Sequence, residues 1–552
     1  MRKNFGLLFL CATMLIACQI DDGMYTSYDV YYETAFATDS TNAVLGTAAK
    51  KDSLKTKSDV RLEVKGGFEY VAGNVIRYGH CWVKGKDEPV INGDGSNCVS
   101  YEGKPDVKES FCTTITGLES ETQYSIRSFV VIQGKNGKEL IGYNPETLVV
   151  VTDTPHDKWF ESNGFVKNGI IAGRTDVLTV TTVVKDAEKQ DTLTFFGMGR
   201  AGDVSYSDLW CYSSHKKTFE QIPEIKNNSG EVMRLWGAVG FGINCGENEN
   251  ARHVIYVGCG CTRPSNFKHE DYNKNFFMYD IDRHGWQQVS FYDSKDQLAI
   301  RQPFQGEART GGVGFSICNE WGFVGLGEFQ FSQGSAVHYH TDFYIFMMSR
   351  EDNGQYIPES GYFNQMTSSF SYGARTGASV VVIDENAFII GGKGESGYYD
   401  DVISCHFTPP VNSRPDSYLF QWAQSDRVVH FKDSFKEKVK DEEGNEKLVG
   451  REFSPRAFGA AFAVGDDIFY GMGEGVDTNG NLVYFSDMLK VNRSNMYLPI
   501  LCSPYSNVDA PESRVSRAMV LHGGDRAFVV GGAMQGEGDS KIFSNSEWVY
   551  RP

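Results

Sequence analysis

Six arginines recur at related positions in the chain: Arg174, Arg234, Arg309, Arg375, Arg456 and Arg514. Four of them open a run of small residues, as in Arg309-Thr310-Gly311, Arg375-Thr376-Gly377, Arg456-Ala457-Phe458-Gly459 and Arg234-Leu235-Trp236-Gly237, while Arg174 and Arg514 match more loosely. A guanidinium presents a planar fork of donors that matches a carboxylate at two points. Gathered on one face, such residues would hold an acidic ligand; bonded to nearby backbone carbonyls, they would instead stiffen the chain. Glu328 and Glu474 each directly follow a G-x-G. A carboxyl so placed can exchange protons, and ring opening at a sugar's anomeric centre needs only proton transfer at two oxygens. Arg200, Arg263, His269 and Glu395 lie in comparable segments after glycines. His338 and His340 share one strand face and can hold a metal weakly, but a surface pair is the plainer reading. Cys259 and Cys261, and the group Cys81, Cys98 and Cys112, read as small buried residues, with one disulfide possible in the second group. No metal and no cofactor is assigned.

The elements that must position these residues follow from a repeat. An apolar strand ending in glycines occurs six times: 194–199, 255–260, 322–327, 388–392, 468–473 and 528–532. A nucleotide-binding glycine loop would occur once, between a strand and a helix. Six copies, each leading to more strand-like sequence, exclude it. Downstream of each copy comes an aromatic, then Asp or Asn, then another apolar strand, as in Tyr206-Ser207-Asp208 and Phe485-Ser486-Asp487. A last strand carries a large aromatic: Phe219, Trp286, Tyr356, Trp422 and Tyr497. Each unit therefore predicts four short antiparallel strands. Aromatics at 13% and 59 glycines agree with an all-β chain.

These units resemble the kelch family, whose repeats form the blades of a β-propeller. The resemblance covers residues 156–552 and implies six blades. Four copies depart from it by carrying G-x-G where a glycine pair is usual. The sixth unit lacks its fourth strand, and Asp157-Lys158-Trp159-Phe160 is expected to supply it and close the ring, which removes free sheet edges. The glycines are expected to serve a turn with positive φ. In a four-stranded meander the arginines and the post-glycine loops share one face, so the six arginines are expected to ring a mouth, at least two of them reaching solvent. Residues 433–449, highly charged, are expected to form a hairpin on that side.

Ahead of the repeats, residues 24–152 contain GLESETQYSIR at 117–127. Leu118, Thr122, Tyr124 and Arg127 fit a pattern in which a tyrosine hydroxyl pins the corner of an immunoglobulin-like sandwich. With Tyr78-Gly79-His80-Cys81-Trp82, this looks like a fibronectin type III module acting as a spacer. At the N-terminus, Arg2 and Lys3 precede an apolar run at 5–17, too short to span a bilayer, that ends Leu15-Ile16-Ala17-Cys18. This resembles a bacterial lipobox, which implies lipidation at Cys18. Asp21 and Asp22 resemble the surface-export tag of Bacteroidetes lipoproteins.

A net charge of −18 disfavours nucleic-acid partners. The expected function is that of a surface lipoprotein of the outer membrane, binding a glycan or other acidic ligand at the arginine mouth. Two enzyme families share the propeller. Copper radical oxidases need a tyrosine, histidine and cysteine set that this chain does not supply beyond Tyr339-His340. The sialic acid mutarotases imply an acid/base carboxylate beside an arginine, for which Glu328 and Glu474 are the candidates. A protein-interaction platform is the remaining alternative.

Overall fold

The computed structural model describes residues 48–551, apart from 72–73, 134–138, 154–157, 162–170, 187–188, 247–250, 293–299, 302–303, 352, 368–369, 411–417, 432–435, 441–445, 451–452, 494–502, 505–516, 523–525, 536–540 and 544–546. The protein is all-β, built of many antiparallel sheets. Its contacts divide the chain between His156 and Asp157. The expected leader, Cys18 and the strand expected at 29–35 lie outside the described residues.

In the first part, Leu148–Val151, Gln123–Gln133, Val75–Lys84 and Ser96–Glu102 form one sheet in that order, with Glu139–Tyr143 also on Gln123–Gln133; Ser53–Lys57, Arg61–Gly66 and Phe111–Thr116 form another. Alternation buries Leu62 and Val64 against Trp82, Ile115 and Ile126. The Tyr124 hydroxyl accepts the Glu119 N–H at 3.0 Å, closing the corner that the motif foretold. Cys81 stands directly opposite Cys98 on the neighbouring strand, yet Cys81, Cys98 and Cys112 are all free thiols. A polar knot is sunk in this part: Asp52 accepts hydrogen bonds from the Ser128 N–H (2.7 Å) and Asn144 Nδ2 (3.1 Å), and its other oxygen faces His80 Nε2 at 3.5 Å. Both side chains are buried. Asp52→Ala leaves the buried Ser128 N–H without this acceptor and removes the carboxylate facing His80, so the first part should lose about 1–3 kcal/mol. Urea unfolding of the full chain would show its transition moving to lower denaturant.

In the second part six sheets follow one another, five of four strands and the fourth of five, Val429–His430 adding to Asp401–Thr408. Their first strands are Leu178–Asp186, Val239–Cys245, Val313–Ile317, Ser379–Ile383, Ala460–Val464 and Met519–His522. Five sheets use four consecutive meander strands. The sixth takes its outer strand from far upstream: Lys158–Glu161 pairs with Glu547–Arg551, setting Trp159 opposite Tyr550, as the sequence led us to expect. The first strands touch in order, first to second through to sixth, and the sixth touches the first. All six line one cavity of about 850 Å³. Toward it they turn small residues such as Thr179, Gly240, Gly314, Ala461 and Ala518, while Val180, Phe241, Phe315, Val381 and Phe462 pack between sheets.

The glycine turns differ from the expected picture. The copies align on their second glycine, φ between 82° and 113° in all six (Gly199, Gly260, Gly327, Gly392, Gly473, Gly532). The residue before it is also left-handed in every copy, yet it is Met198, Cys259, Leu326 or Met472 as often as Gly391 or Gly531. The extra glycine of a G-x-G serves packing: a Cβ on Gly258 would lie 2.5 Å from the Phe276 ring. Two other details shift. The fourth strand of the fifth sheet includes Ser503–Pro504, and Tyr497 lies outside the described residues. The charged segment 433–449 does form a strand pair, Lys436–Lys440 with Glu446–Gly450.

Candidate functional site

Four of the six predicted arginines are not at a ligand face. Arg174, Arg309, Arg375 and Arg456 are buried, the last three completely. Each forks onto an aspartate of the same sheet: Arg309 onto both oxygens of Asp342 (2.8 and 3.0 Å), Arg375 onto Asp401 (2.6 and 3.0 Å), Arg456 onto Asp487 (2.6 and 3.1 Å), and Arg174 onto Asp208. The remaining donors go to backbone carbonyls, one two residues upstream and one in the glycine turn, as Gly373 O and Gly391 O serve Arg375. An aromatic two residues before the aspartate covers the guanidinium in three cases, Tyr206, Tyr399 and Phe485, at 3.7, 3.6 and 4.1 Å. With at least four of five N–H groups engaged and the side chains buried, the expected ring of arginines is a set of internal staples. Arg234 is one residue out of register: the second sheet has Leu235 at the staple position and Asn275 where the aspartate would be. Arg234 is exposed, and Arg514 lies outside the described residues.

Two residues beyond the staple position the chain passes closest to the axis. There Asp176, Gly237, Gly311, Gly377, Phe458 and Arg517 all have φ between 53° and 65°. Their backbones bond in sequence around a circle: Gly237 N–H to Asp176 O (2.8 Å), Gly311 to Gly237 (3.3 Å), Gly377 to Gly311 (2.8 Å), Phe458 to Gly377 (2.7 Å) and Arg517 to Phe458 (3.0 Å). Between Arg517 and Asp176 a side-chain ion pair at 2.6 Å bridges the remaining step. Glycine takes this conformation freely; Phe and Arg do not, and the strain of each is about 1–3 kcal/mol. A Cβ on Gly377 would lie 2.6 Å from the Phe458 ring. Gly377→Ala should therefore destabilise the second part by about 1–3 kcal/mol, read as a lower thermal midpoint, because both the left-handed φ and the crowding against Phe458 oppose a side chain.

A second ring surrounds the first. The residue after each second glycine bridges back to the strand entry, Arg200 to Thr175, Glu328 to Thr310, Lys393 to Thr376 and Glu474 to Ala457. Each begins a hairpin whose returning strand places one residue directly across: Ser205, Tyr339, Tyr398 and Tyr484 respectively. Three charged residues are thus paired with three tyrosines on one end of the sheets. Arg517 ties both rings together, with Asp176 on one side and Glu474 at 3.4 Å on the other, and its guanidinium lies 3.4 Å from the Phe458 ring centre. Arg200 adds a 2.8 Å pair to Asp176, donates to Pro264 O and stacks on Trp236.

The electrostatics follow. Burial pushes the Asp176 carboxyl up, but Arg517 and Arg200 outweigh it and hold the group well below the usual carboxylate range. Burial, reinforced by Asp176, raises the Glu328 carboxyl against Arg517, Lys393 and Arg200. Burial raises the phenols of Tyr339, Tyr398 and Tyr484, helped by Glu328 for the first and Glu474 for the other two. The Tyr484 side chain is 3% exposed, and its hydroxyl makes no hydrogen bond.

Both acid/base candidates, Glu328 and Glu474, therefore belong to one cluster, together with Arg200. Glu395 is exposed nearby, and Arg263 pairs with Asp271 instead. His269 lies half-buried among Tyr272, Phe329 and Phe331. His338 and His340 both stack on Phe329; burial, then Arg309, pushes the His340 imidazole down to about 4. Burial raises the Cys259 thiol to about 12 and that of Cys261 to about 11, so both stay protonated. Among the described residues no three His, Cys, Asp or Glu gather as a metal would need. Sequence reasoning missed Asp176, Lys393, Phe458, Arg517 and the tyrosines. Counting two residues on from each staple position, against Gly311 and Gly377, would have found the first-ring members.

No protein-family model matches the chain, and no curated protein matches it. Among solved structures, one described as the structure of YjhT aligns over 68% of this chain and 94% of its own, at 13% identity and a TM-score of 0.40.

Proposed function

We propose that the six sheets form a closed six-bladed propeller of kelch type, and that the protein is a surface lipoprotein binding a glycan at the hairpin end of its axis. The cyclic contacts of the first strands, the shared cavity and the borrowed strand Lys158–Glu161 support the closed ring. One observation carries the binding reading: charged residues and tyrosine hydroxyls converge around Arg517 at the roots of successive hairpins. Carboxylates, an ammonium and phenols suit the paired hydroxyls of a sugar. The fibronectin-like sandwich serves as a spacer, and the Leu15-Ile16-Ala17-Cys18 sequence supports a lipid anchor at Cys18. Cys18→Ser should move the protein from the membrane to the soluble fraction on fractionation; retention in the membrane would refute the anchor. A glycan array on the purified protein tests binding. Retention of at least one glycan class, lost in Tyr398→Phe combined with Glu328→Gln, is expected; an array without signal would end this reading.

A second reading, a sugar mutarotase or epimerase, is favoured by Glu328. Burial favours its protonated form beside an arginine, as an acid/base group requires. NMR exchange between anomers would then accelerate with the protein and revert to the spontaneous rate with Glu328→Gln.

A further inference from the structure

Resting on the glycan reading, we infer that the hairpin-end site selects a neutral saccharide over an acidic one. The reason is which groups are already engaged. An acidic sugar is held by a guanidinium fork meeting a carboxylate at two points. Arg517, at the centre of the cluster, has its fork occupied by Asp176 and Glu474, while Arg200 commits its Nε to Asp176 and Nη1 to Pro264 O. One face of each guanidinium is also covered, by Phe458 and Trp236. A ligand carboxylate would have to displace Asp176 or Glu474 and leave a buried anion unpaired.

The groups left open are of another kind. The Glu328 carboxyl and the Tyr339 and Tyr398 hydroxyls make no side-chain hydrogen bond to any described residue. Such a set accepts and donates single hydrogen bonds, which pairs with sugar hydroxyls and carries no net demand for negative charge. Lys393, lying over the Tyr398 ring at 5.2 Å, is the one cation of the cluster without an acid partner among the described residues. Against it stands the exposed Glu395, which repels an incoming anion.

The test is calorimetric titration of the purified protein with matched oligosaccharides, one set neutral and one carrying uronic or sialic acid, at low and high salt. Neutral ligands should bind at least about tenfold more tightly than their acidic counterparts, with affinity flat in salt, since no ion pair forms. Tyr398→Phe should weaken neutral binding about tenfold while leaving the thermal midpoint within a degree or two, since the hydroxyl lost has no hydrogen-bond partner among the described residues. Acidic ligands binding more tightly, with affinity falling as salt rises, would overturn the inference and leave glycan binding standing. If neither set binds, the glycan reading itself falls.

Discussion

Arg375→Ala is expected to be the most damaging single substitution in the second part, costing about 3–5 kcal/mol, because it leaves the buried Asp401 carboxylate without its fork. It also frees the carbonyls of Gly373 and Gly391. Arg375 is 0% exposed, so water does not replace the lost partners. Chemical unfolding should show the loss directly. Arg234→Ala, in the register-shifted copy, should change stability by less than about 0.5 kcal/mol, since that side chain is exposed. Asp401→Asn should fall between the two, because an amide keeps one acceptor for the guanidinium. Equal effects of Arg375→Ala and Arg234→Ala would contradict the staple assignment.

Arg517→Met should carry the second-largest effect, and on two readouts. It leaves Asp176 and Glu474 buried with their shared cation gone, which costs about 3 kcal/mol, and it breaks the side-chain link between the first and sixth strand entries. Adding Asp176→Asn should recover part of the stability, because the stranded charge is then removed. Ligand binding should not recover in the double variant, since Arg517 also aligns Glu474. The pair leaves a pH signature. Asp176 has a folded pKa depressed below its unfolded value, so its contribution is fully present above about pH 4 and is lost as pH falls toward the folded value. In Arg517→Met that acid-side slope should flatten. An unchanged slope in acid denaturation would show that Asp176 is not held by Arg517.

How much of this could be read from the sequence depends on what each residue type must do. The six strand-and-glycine copies were legible because packing imposes an apolar strand and a left-handed turn in every sheet. The closing strand was legible because one aromatic strand was missing at one end of the repeats and surplus at the other. The arginines were legible as a repeat but not as a role. Their partners were in view, two residues after an aromatic, and the exception was informative: Leu235 in place of arginine coincides with an asparagine in place of aspartate. The residue that stands at the aspartate position of that copy is Asn275, with Asn273 at the place of the aromatic, and this correlation within one chain points to an internal pair. The inner ring was hidden for a different reason. Asp176, Phe458 and Arg517 occupy positions where three sheets use glycine, so identity varies exactly where geometry is constant, and a motif search sees nothing. The tyrosines escaped because their relation to Glu328, Lys393 and Glu474 is register across a hairpin, and hairpin length differs between copies.

The pairing of Lys158–Glu161 with Glu547–Arg551 also sets a timetable for assembly. The first strand of the second part to be made receives its neighbour only when the final residues arrive. Until then the sixth sheet lacks its outer edge and the inner circle its last step from Arg517 to Asp176. Contacts so distant along the chain slow folding, since the loop must close before the pairing is rewarded. The partly made chain therefore carries open strand edges until Glu547–Arg551 is made, and truncation ahead of that strand removes the clasp rather than a decoration.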